Sequence, residues 1–301
     1  MGNFVLLGVC FLAGVLLRRF RLVPENAAQT VNAVIIYVSL PGVALNYVHG
    51  LPMTADMLGL AAMGWIVFFA GWGCFVLLGR VLGWDRKTVA CLTLTAALGN
   101  TSFVGLPMIE AFYGHQWMGP GLLADQAGTF MALCLAGIPL AAVAAGGRAA
   151  PGTTLRRVFL FPPFLFMLIA LALKPLAYPD WADAVLKALS ATLTPLALLS
   201  VGLTVRFGAL RGRVRPLVAG VAYKMLLAPL LIFALYVGLL GLSGTMVKVT
   251  VFEAAMPPMV TGGIISMQHG LDPDLAGLLL GVGIPLIFAT SWLWFGVLQT
   301  V

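Results

Sequence analysis

The chain has 301 residues, of which 61% are hydrophobic and only 9% are charged, and its net charge is +7. A soluble domain is about 45–50% apolar and about 25% charged, so this composition excludes an ordinary soluble protein and indicates one that crosses a membrane many times. The basic residues lie in short loops between apolar runs, a distribution typical of membrane topology and not of nucleic-acid binding.

Ten apolar runs are long enough, or nearly long enough, to cross a bilayer, which takes about 20 helical residues. We therefore expect an all-α polytopic membrane protein with ten transmembrane segments. The chain begins apolar, without a basic region or cleavage signal, so segment 1 is predicted to be a spanning helix and not a signal peptide. The predicted segments are 4–17, 27–48, 57–82, 88–112, 121–145, 158–176, 184–205, 217–242, 245–267 and 275–298.

Lysine and arginine are distributed unevenly among the loops. Cytoplasmic loops are enriched in these residues, and the loops after the odd-numbered segments hold most of the 17 in this chain. This rule places both chain termini outside the cell. The basic residues on the predicted cytoplasmic side are Arg18, Arg19, Arg21, Arg80, Arg86, Lys87, Arg148, Arg156, Arg157, Arg206, Arg211, Arg213 and Arg215.

All four cysteines lie within apolar segments, and none has the spacing of a metal site. We interpret them as small core residues and expect no disulfide, metal site or cofactor. These cysteines are Cys10, Cys74, Cys91 and Cys134.

Segments 4 and 9 are interrupted by helix-breaking residues. Residues 99–107 read Gly-Asn-Thr-Ser-Phe-Val-Gly-Leu-Pro, and residues 256–263 read Met-Pro-Pro-Met-Val-Thr-Gly-Gly. A continuous helix through either stretch would cost several kcal/mol. In a bilayer such an interruption is tolerated only where it is buried in protein or lines a cavity. Two interrupted segments in corresponding halves predict the binding site of a transporter.

The two halves of the chain repeat. Pro41 of segment 2 recurs as Pro195 of segment 7, and Gly105 recurs as Gly263, at spacings of 154 and 158 residues. Because each half has five segments, the second half is predicted to be inverted in the membrane relative to the first. The predicted repeats are 1–150 and 151–301, which meet near Pro151, and segments 4 and 9 are expected to cross near the membrane midplane.

The motif of segment 4 resembles that of a known family. The stretch from Gly99 to Pro107, followed by Phe112-Tyr113-Gly114, is similar to the helix-four signature of the auxin efflux carrier family, and the resemblance covers the whole chain. It implies a fold similar to bile-acid symporters and sodium/proton antiporters. Segments 1, 2, 6 and 7 would form a scaffold domain, and segments 3–5 and 8–10 a transport domain that contains the crossover segments.

The resemblance also implies a substrate class. Plant members export auxin, an aromatic carboxylate, and bacterial relatives are linked to small carboxylates such as malonate and malate. This chain has only residues 146–154 in place of the long hydrophilic central loop of the long plant carriers. We therefore expect a bacterial inner-membrane protein that is not regulated through such a loop.

Asn100 lies at the first interruption, where its amide can both accept from and donate to a carboxylate ligand. The resemblance implies that it matches the crossover asparagine that contacts the substrate carboxylate. Capping of free backbone groups is the alternative role. Thr101, Ser102 and Gly105 lie at the start of the second half-helix, where unpaired N–H groups and the helix dipole favour an anion.

The second interruption offers matching groups. Pro257 and Pro258 lack an N–H, so carbonyls upstream are free to hold a cation or to bond to neighbouring helices. Thr261 and Gly262 precede the second half of segment 9, and we expect them to line the substrate site with Asn100. The resemblance implies a site-lining role for Gln126 of segment 5.

Glu253 and Lys224 are charged residues at membrane depth. Their segments enter from opposite faces and place each residue roughly 12 Å deep in a core about 30 Å thick, so we expect them to pair or to share one cavity. Such residues mark functional sites, so coupling to H⁺ or Na⁺ and a structural ion pair are the two interpretations. Asp125 is a third coupling candidate, although its predicted place in the first turns of segment 5 also suits the helix dipole.

These observations predict a secondary transporter, an efflux carrier, for small organic anions, with alternating access around the crossed segments. An anion channel or uniporter is the alternative within transport, and a membrane-embedded sensor is the alternative from another class. The sequence shows no aligned acid–base residues and no metal-binding pattern, so it does not predict an enzyme. The expected partners are the anion and the lipid bilayer. Gly277 and Gly281 of segment 10 favour close packing within the monomer and leave a homodimer open.

Overall fold

The computed structural model describes residues 2–300 apart from 53, 55–56, 148–155, 157, 206–209 and 211. Arg148, Arg157, Arg206, Arg211 and the predicted junction of the repeats near Pro151 lie outside the described residues. The helices are α1 (Gly2–Arg19), α2 (Ala27–Val48), α3 (Met57–Leu82), α4 (86–97), α5 (101–113), α6 (His115–Ala144), α7 (Pro162–Ala172), α8 (Asp180–Thr204), α9 (Val214–Leu239), α10 (Thr245–Ala254), α11 (Val260–Gln268) and α12 (Pro273–Leu298).

Six of these helices are each long and apolar enough to cross a bilayer, namely α2, α3, α6, α8, α9 and α12. The part of the chain that the structure describes contains no β-strand beyond a single bridge between Gly99 and Pro258. The protein is therefore an all-helical, polytopic membrane protein, as its composition predicts.

Helix α6 begins earlier than predicted, at His115 instead of residue 121. Pro120 lies within the first two turns of α6. A proline is tolerated there because the first N–H groups of a helix have no intrahelical acceptor, so its missing N–H costs little. Asp125 therefore lies well inside the helix and not in its first turns, so the explanation of this carboxylate through the helix dipole is wrong.

Helix α7 is shorter than the predicted segment 158–176. The residue before a proline avoids the helical region, and Phe161, which precedes Pro162, is extended with φ −72° and ψ 118°. The helix consequently begins at Pro162 and ends at Ala172.

Helices α1, α2, α7 and α8 pack on one another, and we call them the first helix set. The hydroxyls of Ser39 on α2 and Thr192 on α8 share a hydrogen bond of 2.7 Å. A β-carbon on Gly14 of α1 would meet the backbone nitrogen of Leu203 at 2.9 Å, and one on Gly202 of α8 would collide with the backbone of α1. Helices α1 and α8 thus touch backbone to backbone, as small residues allow in a membrane.

Helices α3–α6 and α9–α12 form a second helix set. The Tyr223 hydroxyl of α9 donates to the Val67 carbonyl of α3 at 2.5 Å, and the indole N–H of Trp294 on α12 donates to the Met225 carbonyl of α9 at 2.8 Å. Gly64 of α3 and Gly128 of α6 bring those two backbones into direct contact. These two buried donors therefore bond to carbonyls on neighbouring helices, as an apolar medium favours.

The two helix sets also contact each other. The Thr194 hydroxyl of α8 donates to the Glu110 carboxylate of α5. The ring of Phe4 on α1 lies 4.7 Å from that of Phe112 on α5 and 4.9 Å from that of Trp292 on α12. The aromatic contacts lie at the predicted outer end of the helices, whereas Thr194 lies near the middle of α8. The sets therefore meet through a cluster of aromatic rings and a polar bond.

Asp272 joins three helices at the predicted cytoplasmic end of the second set. Its Oδ1 accepts from the Leu275 N–H at the start of α12, at 3.2 Å, and from Arg213 Nε, at 2.8 Å, while Oδ2 accepts from the Thr88 hydroxyl of α4, at 3.4 Å. Its hydrogen bond raises the pKa of the Arg213 guanidinium above the usual value. One carboxylate thus caps α12 and links it to α4 and to the start of α9.

Asp272→Ala should lower the thermal stability of the purified protein, because a helix cap and a partly buried hydrogen-bonded ion pair are lost together, at about 1–3 kcal/mol. The control is Asp274→Ala, since the Asp274 carboxylate is 57% exposed and lies 3.6 Å from Arg213. Equal melting temperatures for the two variants would contradict this role of Asp272.

Candidate functional site

The interruptions of segments 4 and 9 are bonded to each other. Leu98, after α4, is extended, and the Asn100 N–H donates to the Pro257 carbonyl at 2.8 Å. In return, the Met259 N–H donates to the Thr95 carbonyl at 2.8 Å, and between these bonds Gly99 and Pro258 form an antiparallel bridge. Each interruption therefore satisfies backbone groups that the other leaves without helical partners.

Glycine makes this close approach possible. A β-carbon on Gly262, at the start of α11, would overlap the Leu94 carbonyl of α4, and one on Gly283 of α12 would overlap the Pro258 ring. The predicted ligand residue Gly262 is thus in backbone contact with α4, and Pro258 is packed against α12. Thr261, also predicted to line the site, is exposed, in contrast to buried Asn100.

Asn100 is 3% exposed and lies immediately before α5. Its Oδ1 accepts from the Phe103 N–H at 3.3 Å, so it caps the following turn, as one sequence interpretation expected. Its Nδ2 has no hydrogen-bond partner among the described residues. The side chain therefore uses its acceptor for the helix and keeps a buried donor for another group.

The Asp125 carboxylate accepts hydrogen bonds from three side chains. The hydroxyls of Thr101 and Ser102 donate to its two oxygens, each at 2.5 Å, and Gln126 Nε2 donates to Oδ2 at 2.5 Å. The carboxylate is 1% exposed, and several donors are what a buried charge of this kind requires. Thr101 and Ser102 were expected to lie at an anion site. Their hydroxyl groups are thus directed to the Asp125 carboxylate.

Glu253, on α10, is fully buried, and neither of its carboxyl oxygens has a hydrogen-bond partner among the described residues. Its carboxyl group fills the space that a β-carbon on Gly105 would take, with Oε1 2.8 Å from that position. The corresponding position on Gly121 of α6 lies 3.5 Å from the same oxygen. Two glycines on neighbouring helices therefore form a cradle for this carboxyl group, and we call it the glycine cradle.

Lys224, on α9, is 1% exposed and lies on the other side of the first interruption. Its Nζ is 3.0 Å from the position of a β-carbon on Gly99, and no described carboxylate lies within 4.0 Å of it. The predicted ion pair with Glu253 is therefore wrong. The Glu253 carbonyl also lies near Gly99, but its side chain turns toward Gly105. The two charges therefore act on each other without forming an ion pair, and the alternative of one shared cavity stays a prediction.

Sequence reasoning missed two further polar residues near the interruptions. The hydroxyls of Thr95 on α4 and Ser266 on α11 are buried, and both lie beside the Cys91 thiol of α4. Their only sequence signal is a hydroxyl within an apolar run, which is also typical of helix packing. Across the described chain, no group of three or more His, Cys, Asp or Glu side chains is arranged to hold a metal ion.

The site combines backbone bonds between the two interruptions with buried polar groups, such as Asn100 Nδ2 and the Glu253 carboxyl, that have no hydrogen-bond partner among the described residues. The sequence model of one family, described as membrane transport protein, matches residues 3–295. The chain belongs to this family. It is the auxin efflux carrier family that the motif of segment 4 resembles, so the resemblance is confirmed.

Two archaeal relatives agree with this assignment. An uncharacterized transporter of Methanothermobacter thermautotrophicus is 26% identical over 294 residues, which are 96% of this chain and 95% of the relative. Another uncharacterized transporter, from Methanocaldococcus jannaschii, is 21% identical over 300 residues, which are 95% of each chain. This chain is thus a membrane transport protein of the family, and the similarity extends over its whole length.

Gly105→Ala should lower the melting temperature of the purified transporter, because the new methyl group overlaps the Glu253 carboxyl, and overpacking typically costs about 1–3 kcal/mol. Glu253→Ala in the same chain should recover most of the loss by emptying that space. Gly277→Ala on α12 is the control, since no atom lies within 4 Å of its β-carbon position. Additive losses in the double variant would refute the contact.

Proposed function

We propose that this protein is a secondary transporter, acting in efflux, for small organic anions that carry a carboxylate. The observation that supports this most is Asn100 Nδ2, a buried donor that has no hydrogen-bond partner among the described residues. Lys224 adds a buried ammonium with no described carboxylate within 4.0 Å. One is a neutral donor and the other a cation, and a carboxylate satisfies both. The N-terminal turn of α5, which starts beside Asn100, adds the positive end of a helix dipole.

The proposed fold contains ten transmembrane segments in two inverted repeats, 1–150 and 151–301. Helices α4 with α5, and α10 with α11, are then the two broken crossover helices. The reciprocal bonds from Asn100 to Pro257 and from Met259 to Thr95 support this arrangement, because each interruption contributes one donor and one acceptor to the other. The positive loops favour external termini and an inner-membrane location.

Alternating access would move one helix set against the other. The first set corresponds to the proposed scaffold, and the second set to the proposed transport domain. Each has its own internal hydrogen bonds and glycine contacts. The rings around Phe112 join the sets at the predicted outer end, so these contacts would have to separate when the carrier opens to the outside. The bond from Thr194 to Glu110 also joins the sets and would have to break with them.

Asn100→Ala and Lys224→Gln should fold and should lose carboxylate binding, because each removes a buried donor at the interruptions. Purified protein can be screened by thermal shift against mono- and dicarboxylates, where ligand at 100 times its dissociation constant stabilises by about 2.7 kcal/mol. The shift seen with wild type should be absent from both variants.

The matched control for the lysine is Lys248→Gln on α10, a partly exposed lysine near the predicted outer end of the segment. It should retain the full shift. Undiminished stabilisation of Asn100→Ala by the same carboxylate would remove this residue from the substrate site. A wild-type protein that responds to no carboxylate and to other solutes would overturn the proposed substrate class.

We further propose that Glu253 carries a proton that is coupled to transport. An ionised carboxylate without donors in a membrane interior costs several kcal/mol, so this group requires a proton or a cation when it faces the glycine cradle. The cradle is closely packed, which favours the proton over a hydrated or multiply coordinated Na⁺. The charged groups nearest to Glu253 on neighbouring helices are Asp125 of α6 and Lys224 of α9.

Glu253→Gln should keep carboxylate binding and lose substrate-linked proton movement, since glutamine has the shape of the protonated acid but cannot release the proton. In proteoliposomes with an internal pH dye, wild type should change the internal pH when substrate is added, and the variant should not. Substrate movement by wild type without a pH change would support a uniporter. Dependence on a sodium gradient instead of a pH gradient would replace the proton with Na⁺.

A further inference from the structure

A groove lies on the outside of the second helix set, between α3, α4 and α6. Its wider part has a volume of about 490 Å³ and is lined by residues that include Trp72, Arg80, Trp84 and Arg86. A second cavity of about 350 Å³ continues from it, since both are lined by Trp72, Leu140 and Val143. The two cavities form one groove, which we call the α3–α6 groove.

The groove is polar at one end and apolar at the other. Arg80 at the end of α3 and Arg86 at the start of α4 lie on either side of a short turn at its predicted cytoplasmic end. The opposite end is lined by Phe68, Ala136 and Pro139, all without charge. This is the polarity of a phospholipid, with a charged headgroup at the membrane surface and a chain that extends into the core.

The two guanidinium groups have no counter-charge within ion-pair distance among the described residues. Neither Arg80 nor Arg86 has a carboxylate within 4.0 Å in the described chain. Asp85 lies between them in sequence, but its carboxylate accepts from the Thr88 N–H at 2.7 Å, and this hydrogen bond holds its pKa below the usual value. The acid caps α4 as an ionised group and offsets one of the positive charges of Arg80, Arg86 and Lys87, so the mouth of the groove keeps a net positive charge that is available to an anion.

The length of the groove fits one leaflet. Arg80 and Phe68 are separated by twelve residues of α3, which correspond to about 18 Å at 1.5 Å per residue. The hydrocarbon core of a bilayer is about 30 Å thick, so the groove reaches slightly beyond its middle. A chain anchored by its phosphate at the arginines would thus lie along α3 and α6 over most of its length.

We propose that the α3–α6 groove binds one anionic phospholipid of the leaflet in which Arg80 and Arg86 lie. The phosphate is held between the two guanidinium groups, which present matching pairs of donors, and one acyl chain lies against Trp72 and Leu140 toward Phe68. This site is separate from the crossing of the interrupted segments and does not depend on which solute the protein carries.

The test uses the full-length protein purified in detergent, with native mass spectrometry to count bound lipid and thermal shift to measure its effect. Phosphatidylglycerol should remain bound at least tenfold better than phosphatidylcholine of the same chain length. Arg80→Gln combined with Arg86→Gln should abolish this preference. Arg215→Gln, an exposed arginine at the same predicted side but outside the groove, should leave it unchanged.

Two further measurements separate the headgroup from the chain. Ala136→Phe fills the apolar end of the groove, so it should weaken phosphatidylglycerol binding while leaving the arginines intact. Inorganic phosphate should give little stabilisation, and an equal effect of phosphate and lipid would make this a free-anion site and overturn the proposal. Retention of the preference by the double arginine variant would overturn it as well.

The wild-type protein alone also provides a test, which does not require any variant to fold. Binding of phosphatidylglycerol should weaken as salt rises from low to high concentration, because exposed charges are screened within about 10 Å at 0.1 M salt. Binding that is independent of both salt and headgroup would show that only the apolar part of the groove recognises lipid, and this result too would overturn the proposal.

Discussion

The structure depends on a constraint of the bilayer, where a backbone N–H or C=O that leaves its helix has no water to bond to. Two helices are interrupted in this protein, and each interruption supplies the other's missing partners. The bonds from Asn100 to Pro257 and from Met259 to Thr95 connect stretches far apart in the sequence. Neither interruption is satisfied alone, so the two must form together, and the polar side chains around them are positioned by that event.

Three buried ionisable groups lie around the crossing of the two interruptions, and each has different neighbours. Asp125 receives three donors, Glu253 receives none, and Lys224 faces the backbone at Gly99. A buried carboxylate that accepts hydrogen bonds from several donors is stabilised in its charged form. One without donors is not, so it takes up a proton or a new partner when its surroundings change. This inequality supports a fixed role for Asp125 and a variable one for Glu253.

Sequence rules predicted the features of the site that depend on neighbouring residues in the chain. Glycine and proline in an apolar run predicted helix breaks at 99–107 and 256–263, and the structure has residues outside helices at 98–100 and 255–259. Asn100 was recognised because it lies in the first of these stretches. The direction of the Glu253 side chain was not predictable, because depth along a helix does not specify which face the residue occupies. The partners of Thr101 and Ser102 depend on α6, which begins at His115 and not at residue 121 as predicted, with Pro120 in its first turns.

The glycine contacts described for the fold bear on how such a molecule deforms. Gly14 with Gly202, and Gly64 with Gly128, bring helix backbones together so closely that not even a methyl group fits between them. Contacts of this kind interlock and resist sliding, so they make each helix set stiff. The aromatic rings between the sets, such as Phe4 and Phe112, present smooth faces that can exchange neighbours at small cost. Gly119 of α6 makes a glycine contact of the same kind with the Tyr47 carbonyl of α2, 2.6 Å from its β-carbon position, so the seam between the two sets combines aromatic rings with one tight backbone contact that any relative movement has to break.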